Sequence, residues 1–452
     1  MKFFLSIFYS FIFWIIIRNH RFFKIEGIRN EALRAVFLLK LISGFLLLAL
    51  YTYYYTDRSS SDVYKYFDDG TVMYNALFNN PLDYLKMVFG VMNDNVYFSQ
   101  TYYNEMSHWY RAFESNIFSD SHAIIRFNAL AMLFSFGQIS VHVVFMVFLS
   151  FIGLTGLYKF FFRNAKRSKI GLFVAIYLLP SVVFWGSGML KEGLIFFALG
   201  LLLYEVDKIA RRFDFFSLFW IVFSLLLLIH TKIYIILILA PLLLAHLYST
   251  MVLKNRIKYL YFVIISMFFL FGFFVFYNLA GLNMFAMIVQ KQNDFMNLAL
   301  QESAGSLLHH RYLALSFTSF ITELPMAVFN VFFRPLPILD NSLIYLPNIM
   351  ENTVLLILAI LAFFYRTRLN RSELSLLHFC FYFVVCIFVL TGFTVPVLGA
   401  IVRYKTVALP FMFAFLAILM DRRLVLERFP FLKKHYELWS HKISYKTIYR
   451  KN

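Results

Sequence analysis

The polar segment at residues 56–70, TDRSSSDVYKYFDDG, holds four aspartates: Asp57, Asp62, Asp68 and Asp69. It directly follows the first long apolar stretch, and a carboxylate beside a bilayer is unfavourable unless it binds or reacts with a ligand. We therefore expect chemistry here first. If the segment is helical, Asp62 and Asp69 share a face that Asp68 does not, so at most one acid serves as a base. The alternative is a solvated loop that caps a helix starting near Thr71.

Basic side chains supply a second chemical group. Five of them stand where apolar stretches end, on the side that the charge pattern identifies as outer: Lys191, Lys232, Arg334, Arg403 and Lys405. Arginines on this side run against the bias that orients membrane proteins, and a guanidinium holds phosphate oxygens through two parallel hydrogen bonds, so we expect phosphate binding. The alternatives are a local ion pair of Lys191 with Glu192 and interface anchoring by His230 and Lys232. Further candidates on the same side are Arg126, Glu192, His230 and Glu323.

The composition places these residues in a membrane protein. Of the 452 residues, 61% are apolar and 21% are aromatic, which is more than a water-soluble domain carries. The net charge of +18 does not indicate nucleic acid binding, because Lys and Arg stand in short loops between apolar stretches and not in a basic groove. We therefore exclude nucleic acid as a partner and expect membrane lipids around the chain.

The distribution of positive charge predicts an all-α polytopic protein with about ten transmembrane helices plus interfacial or re-entrant helices. We expect an N-terminal interfacial or re-entrant helix and cytoplasmic segment at 1–34, a membrane domain at 35–420, and a basic cytoplasmic tail at 421–452. A long outer loop, 55–140, carries two amphipathic pieces that we expect to form helices on the membrane, 81–91 and 124–136.

Within the membrane domain, two outer turns are expected to join neighbouring spans, at 184–192 and at 230–232. A further span is expected at 259–277. Residues 312–337 are expected to be non-spanning or re-entrant, because Glu323 is disfavoured in lipid and Pro325 interrupts a helix.

Motifs of several soluble enzyme classes are missing from the sequence. It contains no GxSxG elbow, no HExxH motif and no nucleotide-binding fingerprint. Cys380 and Cys386 both lie inside an apolar stretch, which argues against a disulfide framework and against a thiolate metal site. The sequence therefore indicates no cofactor.

The acids after the first span, the long outer loop, the many further spans and the basic outer rim together resemble the GT-C class of membrane glycosyltransferases. Three stretches are also similar to uncharacterised membrane proteins of bacterial polysaccharide clusters, including Wzy-like polymerases: PSVVFWGSGMLKEGL at 180–194, FRP at 333–335 and VRYKTVALP at 402–410. The GT-C resemblance implies a polyprenyl-phosphate-linked sugar donor, a glycan or other acceptor, and a catalytic aspartate in the first outer loop. The matching positions are Asp62, Asp68 and Asp69. The resemblance does not decide whether the enzyme requires a divalent cation.

The resemblance implies glycosyl transfer in cell-surface glycan assembly, with the active site on the periplasmic side of the bacterial cytoplasmic membrane. One alternative is a Wzy-like polymerase acting on polyprenyl-diphosphate glycans, in which Arg334 and Arg403 are essential and the aspartates tolerate alanine. Another is a non-enzymatic transporter or a subunit of an envelope complex. Transport is disfavoured because Lys40 is the main charge inside the apolar stretches, whereas transporters carry ionisable groups at the midplane.

Overall fold

The described part of the chain is built of helices. The computed structural model describes residues 4–55, 58, 61–110, 120–251, 260–261, 263–267, 283–308, 312–337, 339–340 and 343–445. These residues contain no β-strand, only two isolated β-bridges, which confirms the all-α prediction. Asp57 and most of the span expected at 259–277 lie outside the described residues, as does 446–452 of the expected tail.

The helices before residue 210 are α1 (Phe4–Asn19), α2 (Asn30–Ala49), α3 (Asp62–Asn79), α4 (Pro81–Phe89), α5 (Val96–Thr101), α6 (His122–Ser135), α7 (Ile139–Asn164), α8 (Lys169–Tyr177), α9 (Pro180–Trp185) and α10 (Lys191–Ile209). Those that follow are α11 (Phe215–Met251), α12 (Met284–Gln301), α13 (Phe317–Phe332), α14 (Leu346–Phe364), α15 (Arg371–Thr394), α16 (Leu398–Lys405), α17 (Leu409–Leu419), α18 (Arg422–Arg428) and α19 (Pro430–Ile443).

In the described part of the chain, five helices are long and apolar enough to cross a membrane: Asn30–Tyr54, Ile139–Asn164, Phe215–Thr250, Leu346–Phe364 and Arg371–Thr394. The bent pair of α16 and α17, whose axes differ by 57°, makes a sixth if it counts as one span. Apolar side chains on their outer faces are exposed, as Leu46 in α2 and Phe363 in α14 show. Such surfaces are typical of contact with lipid, which supports the predicted membrane character.

Ion pairs gather one set of helix ends together. Arg167, after α7, contacts Glu373 at the start of α15 at 2.7 Å and donates to the Thr367 hydroxyl after α14 at 2.9 Å. Arg163, in the last turn of α7, contacts Asp207 near the end of α10 at 3.0 Å. We call this side of the molecule, defined by these five residues, the Arg167 end.

The helix α11 is a hairpin whose tip is Lys232. The backbone is non-helical there, with φ −154° and ψ 84°. Its first half starts beside the last turn of α10, where Lys208 contacts Asp214 at 2.6 Å. Its second half ends beside the start of α15, where Ser249 bonds the hydroxyl of Ser375. Both contacts are at the Arg167 end, so the chain reverses at Lys232, as the expected outer turn at 230–232 requires.

The helices α7 and α10 pack with their backbones in contact. A Cβ on Gly200 would collide with the carbonyl oxygen of Gly153, and a Cβ on Gly156 would lie 2.6 Å from the oxygen of Gly200. Small residues permit this approach, which maximises van der Waals contact between the helices. The 19 residues of α10 span about 28 Å, so Lys191 lies at the side opposite Asp207. We call that side, which holds Lys191, Lys232 and Arg403, the Arg403 end.

Residues of the expected outer loop form α3 to α6. The pieces expected at 81–91 and 124–136 correspond to α4 and α6. The helix α3 begins at Asp62 and not near Thr71, so the solvated-loop alternative is wrong for residues 62–70. At Gly70 a Cβ would lie 2.7 Å from the side chain of Asn128, which shows how closely α3 packs on α6.

Three contacts hold the two N-terminal helices against the rest of the molecule. The helix α1 runs beside α7, because Ser6 hydrogen-bonds Ser140 at 2.7 Å and the rings of Phe13 and Phe148 stack with centroids 4.0 Å apart. In α2, fully buried Lys40 donates a hydrogen bond to the carbonyl oxygen of Gly186 at 3.0 Å. That bond ties the first long apolar helix to the turn between α9 and α10.

Candidate functional site

Arg403 joins two carboxylates at the Arg403 end. Its Nε donates to Glu192 Oε1 at 2.9 Å, and its Nη1 donates to Asp62 Oδ2 at 2.8 Å. Asp62 Oδ1 also lies 3.9 Å from His108 Nε2. The second oxygen of Glu192, Oε2, is buried and has no hydrogen-bond partner among the described residues. The site therefore contains a carboxylate oxygen that is ready to accept a hydrogen bond.

Asp120 bridges two lysines in the same region. Its Oδ1 lies 2.6 Å from Lys191 Nζ and its Oδ2 lies 2.6 Å from Lys232 Nζ. The ring of Tyr404, the neighbour of Arg403, has its centroid 4.5 Å from Lys232 Nζ. Because Lys191 precedes Glu192 in the chain, the two groups are continuous. We call them the six-charge cluster, which consists of Asp62, Asp120, Lys191, Glu192, Lys232 and Arg403.

The helix ends position several of these side chains. Asp62 and Glu192 occupy the first turns of α3 and α10, and Arg403 occupies the last turn of α16, so the helix dipole favours the charge of each. Lys191 is the exception, because a cation at the N-terminus of α10 is disfavoured by the dipole. Its position is tolerated because Asp120 supplies an anion.

The solvent exposure of the side chains decreases through the cluster, from Asp62 to Glu192. The exposed fractions of the side chains are 30% for Asp62, 15% for Arg403, 11% for Asp120, 8% for Lys232, 5% for Lys191 and 3% for Glu192. Burial acts to raise the pKa of Asp62, but the charges of Arg403, His108 and Lys191 outweigh it and hold that pKa well below its ordinary value. Asp62 is therefore ionised at neutral pH, and the three acids balance the three bases when all six are ionised.

Asp68 and Asp69 make their contacts with residues outside the cluster. Asp69 is buried and accepts hydrogen bonds from the backbone N–H groups of Ser107 and His108, each at 2.8 Å, so it fixes that loop. Burial raises the pKa of Asp69 in spite of these bonds. Asp68 is exposed and pairs with Arg58. Of the three aspartates predicted to be catalytic, the structure brings Asp62 alone to the basic residues.

The expected phosphate-binding residues divide into two groups. Arg334 contacts Asp340 at 2.7 Å, and Lys405 donates to the carbonyl oxygen of Arg334 at 3.0 Å and to Asn352 Oδ1 at 3.1 Å. These bonds fasten the end of α13 to α14. Arg334 and Lys405 thus form a separate group, and the six-charge cluster retains three of the five expected residues: Lys191, Lys232 and Arg403.

The remaining outer candidates have different surroundings. Glu192 belongs to the cluster, whereas Arg126 donates to the carbonyl oxygen of Met87 at 2.9 Å and so holds α6 to α4. His230 contacts a carbonyl oxygen of its own helix, one turn earlier, at 2.8 Å. Glu323 lines a separate small cavity that also touches Gly392. Burial lowers the pKa of Arg126, which fits a structural role.

A buried chain of three polar residues has the order of a hydrolytic triad. Ser135 hydrogen-bonds His142 Nε2 at 2.7 Å, and Asn128 hydrogen-bonds His142 Nδ1 at 2.7 Å. All three side chains are fully buried, so no substrate reaches the serine. These hydrogen bonds instead satisfy buried polar groups where α6 packs on α7.

Asp120 was not among the site residues predicted from the sequence. It stands with Ser121 directly before an apolar helix, a pattern typical of helix capping, but Ser121 makes no side-chain capping bond to α6. The partners of Asp120, Lys191 and Lys232, are 71 and 112 residues away in the chain. Among the described residues, no three His, Cys, Asp or Glu side chains group together as ligands for a metal ion.

Comparisons with protein families, curated proteins and solved structures found no match to this chain. The function is therefore inferred from the geometry of the six-charge cluster.

Proposed function

We propose that this protein is a membrane glycosyltransferase that uses a polyprenyl-phosphate-linked sugar in cell-surface glycan assembly. The observation that carries the proposal is the six-charge cluster, in which a partly solvated carboxylate stands before buried cations. Glycosyl transfer from a lipid phosphate needs both groups. A carboxylate orients the acceptor hydroxyl, and cations stabilise the phosphate that leaves the anomeric carbon.

The burial gradient assigns roles within the cluster. Lys191 and Lys232 are the deeper cations and would hold the donor phosphate, whose polyprenyl tail lies among the membrane helices. Asp62 is the most exposed member and would receive the acceptor from the solvent side. Arg403 stands between them and would contact both substrates. The buried Oε2 of Glu192, which has no hydrogen-bond partner in the described part of the chain, would accept a hydrogen bond from a sugar hydroxyl.

Asp62 is a weak base while Arg403 is bound to it, because its pKa is far below neutral. In that state it accepts a hydrogen bond from the acceptor hydroxyl and stabilises positive charge that develops at the anomeric carbon. A phosphate that binds Arg403 removes part of this pairing and adds a negative charge nearby. The pKa of Asp62 then rises toward that of an effective base, so donor binding would activate the acid.

We also propose about ten transmembrane spans, with the Arg403 end on the outer face of a bacterial cytoplasmic membrane. The long apolar helices α2, α7, α14 and α15 and the bent pair of α16 and α17 give five spans. The helix α10 and each half of α11 also run between the two ends, and α8 with α9 starts at the Arg167 end and leads to Lys191, which gives nine. The Arg167 end carries the basic stretch Lys166–Ser168, which the positive-inside rule assigns to the cytoplasm. The unmatched tenth span is the one expected at 259–277.

Complementation of a strain that lacks this gene tests the function. The variants are Asp62→Asn and, as a matched control, Asp68→Asn, which makes the same charge change on the same helix outside the cluster. Surface glycan and lipid-linked sugar in the membranes are measured at equal expression. We expect Asp62→Asn to lose about 100-fold or more of glycan formation and to accumulate donor, because removing a positioned catalytic group costs at least this much. The control variant should complement fully.

Three results would contradict the proposal. Glycosyl transfer is wrong if the deletion leaves surface glycan and lipid-linked sugars unchanged. The assignment of Asp62 is wrong if Asp62→Asn complements as well as Asp68→Asn. If both aspartate variants function while Arg403→Lys fails and unpolymerised diphosphate-linked glycans accumulate, the polymerase alternative is favoured instead.

A further inference from the structure

We propose that α19 is an interfacial helix whose exposed face binds anionic lipid headgroups at the Arg167 end of the molecule. The face consists of Phe431, Lys434, Leu438, Trp439 and Lys442, and we call it the Phe431 face. This surface belongs to the segment that the sequence indicates only as a basic cytoplasmic tail, and its assignment does not rest on the transfer reaction.

Hydrogen bonds hold both ends of the α18–α19 segment at one boundary of the membrane domain. Before α18, the backbone N–H of Asp421 donates to the carbonyl oxygen of Tyr365, directly after α14, at 2.7 Å. At the end of α19, the carbonyl oxygen of Ile443 accepts from the N–H of Arg29, directly before α2, at 2.8 Å. Tyr365 is two residues before Thr367, so the first of these bonds is at the Arg167 end.

The second bond is at the same end, because α2 runs antiparallel to α7. A Cβ on Gly44 would lie 2.8 Å from the side chain of Val143, near the start of α7. Earlier in α2, the ring of Phe37 has its centroid 5.7 Å from that of Phe151, which is further along α7. The start of α2 therefore lies toward the last turns of α7, at the Arg167 end. The 14 residues of α19, which span about 21 Å, thus run along this boundary and not across the membrane.

One side of α19 packs on the protein. Its residues Leu432, Tyr436 and Ile443 recur at helical spacing and are half-buried or buried. The guanidinium of Arg422 in α18 donates to the Tyr436 hydroxyl and lies over the same ring, 5.0 Å from its centroid. The protein therefore covers this side of the helix, and the Phe431 face is turned away from it.

The Phe431 face combines large apolar side chains with cations. The exposed fractions are 68% for Phe431, 54% for Leu438 and 58% for Trp439. Lys434 and Lys442 stand one turn before and one turn after Leu438, and both are exposed. Lysine stems lie along apolar surface while their ammonium groups reach a more polar layer. This combination is typical of a helix that rests in the headgroup layer of a membrane.

The charge of the segment selects anionic lipid as the partner. Residues 422–443 contain six Lys or Arg and two Glu, and the basic stretch Lys166–Ser168 lies at the same end of the molecule. The positive-inside rule assigns this end to the cytoplasmic leaflet, whose anionic lipids attract Lys and Arg beside the membrane. An uncharged lipid would leave these cations without a counter-charge. An acidic soluble protein would supply the charge, but the position of the face at the membrane boundary places lipid beside it.

Quenching of a fluorescent label on the full-length protein tests the lipid contact. Bimane is attached to Leu438→Cys and, as the matched control, to Glu437→Cys, the neighbouring exposed position outside the Phe431 face. The native thiols are removed by Cys380→Ala and Cys386→Ala. The protein is placed in nanodiscs of phosphatidylcholine alone, or of phosphatidylcholine mixed with phosphatidylglycerol. Quenching by nitroxide-labelled lipid is then compared with quenching by acrylamide, which is dissolved in the water.

In the anionic nanodiscs we expect nitroxide lipid to quench the label at residue 438 and acrylamide to quench the label at residue 437. In the neutral nanodiscs, or at high salt, lipid quenching at residue 438 should fall. Lys434→Gln should lower the ratio of membrane-bound to released helix by about fivefold, because one basic residue near an anionic surface contributes on this scale. Lys433→Gln makes the same charge change on another side of α19 and should have a smaller effect.

The inference is overturned if acrylamide reaches the label at residue 438 as readily as the label at residue 437, because the face would then lie in water. It is also overturned if lipid quenching at residue 438 is equal in both kinds of nanodisc, since anionic headgroups would then contribute nothing. Protection of residue 438 from both quenchers would overturn it as well, because protein and not lipid would then cover the face. None of these results bears on glycosyl transfer, which the complementation experiment tests separately.

Discussion

Replacing Arg403 with methionine tests whether the six-charge cluster stabilises the fold. The change leaves Glu192, whose side chain is 3% exposed, and Asp62, which is 30% exposed, without the cation that pairs them. Removing one partner of a buried ion pair costs about 3–5 kcal/mol, whereas an exposed pair contributes about 0–1 kcal/mol. We therefore expect a loss of about 3–4 kcal/mol in the free energy of unfolding, most of it from Glu192.

A double-mutant cycle in detergent measures these contributions. Unfolding of the purified protein is followed in mixed micelles for Arg403→Met alone, and then with either Glu192→Gln or Asp62→Asn added. Neutralising Glu192 removes the unpaired buried charge, so the first double variant should recover about 2 kcal/mol. The second double variant should recover less than about 1 kcal/mol, because water already solvates Asp62.

A loss of less than about 1 kcal/mol in Arg403→Met would refute this expectation, because it would mean that Glu192 is solvated or neutral in the fold. It is also refuted if Asp62→Asn recovers as much as Glu192→Gln. Either result would remove the burial gradient from which the roles of the cluster were assigned.

Three further predictions concern other parts of the fold. Burial lowers the pKa of His122 from 6.5 to about 4, so between these values the unfolded state binds a proton that the folded state does not. Stability should fall by about 2–3 kcal/mol as the pH drops through this range, and by less in His122→Gln; parallel pH profiles would contradict this. Gly200→Leu should abolish monodisperse protein in size-exclusion chromatography because it collides with Gly153, whereas Gly305→Ala, in open space, should match the wild type. Lys405→Met should lower the free energy of unfolding by about 2–3 kcal/mol, because it leaves buried oxygens without their donor. It should still complement the deletion strain, and a loss of surface glycan at unchanged stability would contradict this structural role.

The helices of the outer loop were predictable because their apolar residues recur at helical spacing. The predicted pieces at 81–91 and 124–136 differ from α4 and α6 by no more than two residues at either end. The start of α3 was harder to place, since its acids and small polar residues are also typical of a loop. Tertiary packing makes residues 62–70 helical, because the buried face of α3, which includes Tyr66 and Gly70, packs on α6.

The sequence predicted which residues lie near the candidate site, but not which of them form ion pairs. The charge pattern assigned Asp62, Lys191, Lys232 and Arg403 to one interface, and the structure brings these four together. Their ion pairs could not be predicted, because Asp62 and Arg403 are 341 residues apart in the chain. Arg334 and Lys405 show the same limit, since basic residues at one membrane boundary are equivalent by sequence until their neighbours are known. Asp120 was missed because its local context resembles a helix cap.

The buried bond of Lys40 has a consequence for biosynthesis. Its acceptor, the carbonyl oxygen of Gly186, lies 146 residues later in the chain. At about 5–20 residues per second, a ribosome needs roughly 7–30 s to make that segment. During this interval the first span must enter the bilayer with an unmatched ammonium group, at a cost of about 2.5–3.5 kcal/mol on insertion scales. We therefore expect this nascent helix to remain at the translocon, or beside an insertase, until the turn after α9 has been synthesised and inserted.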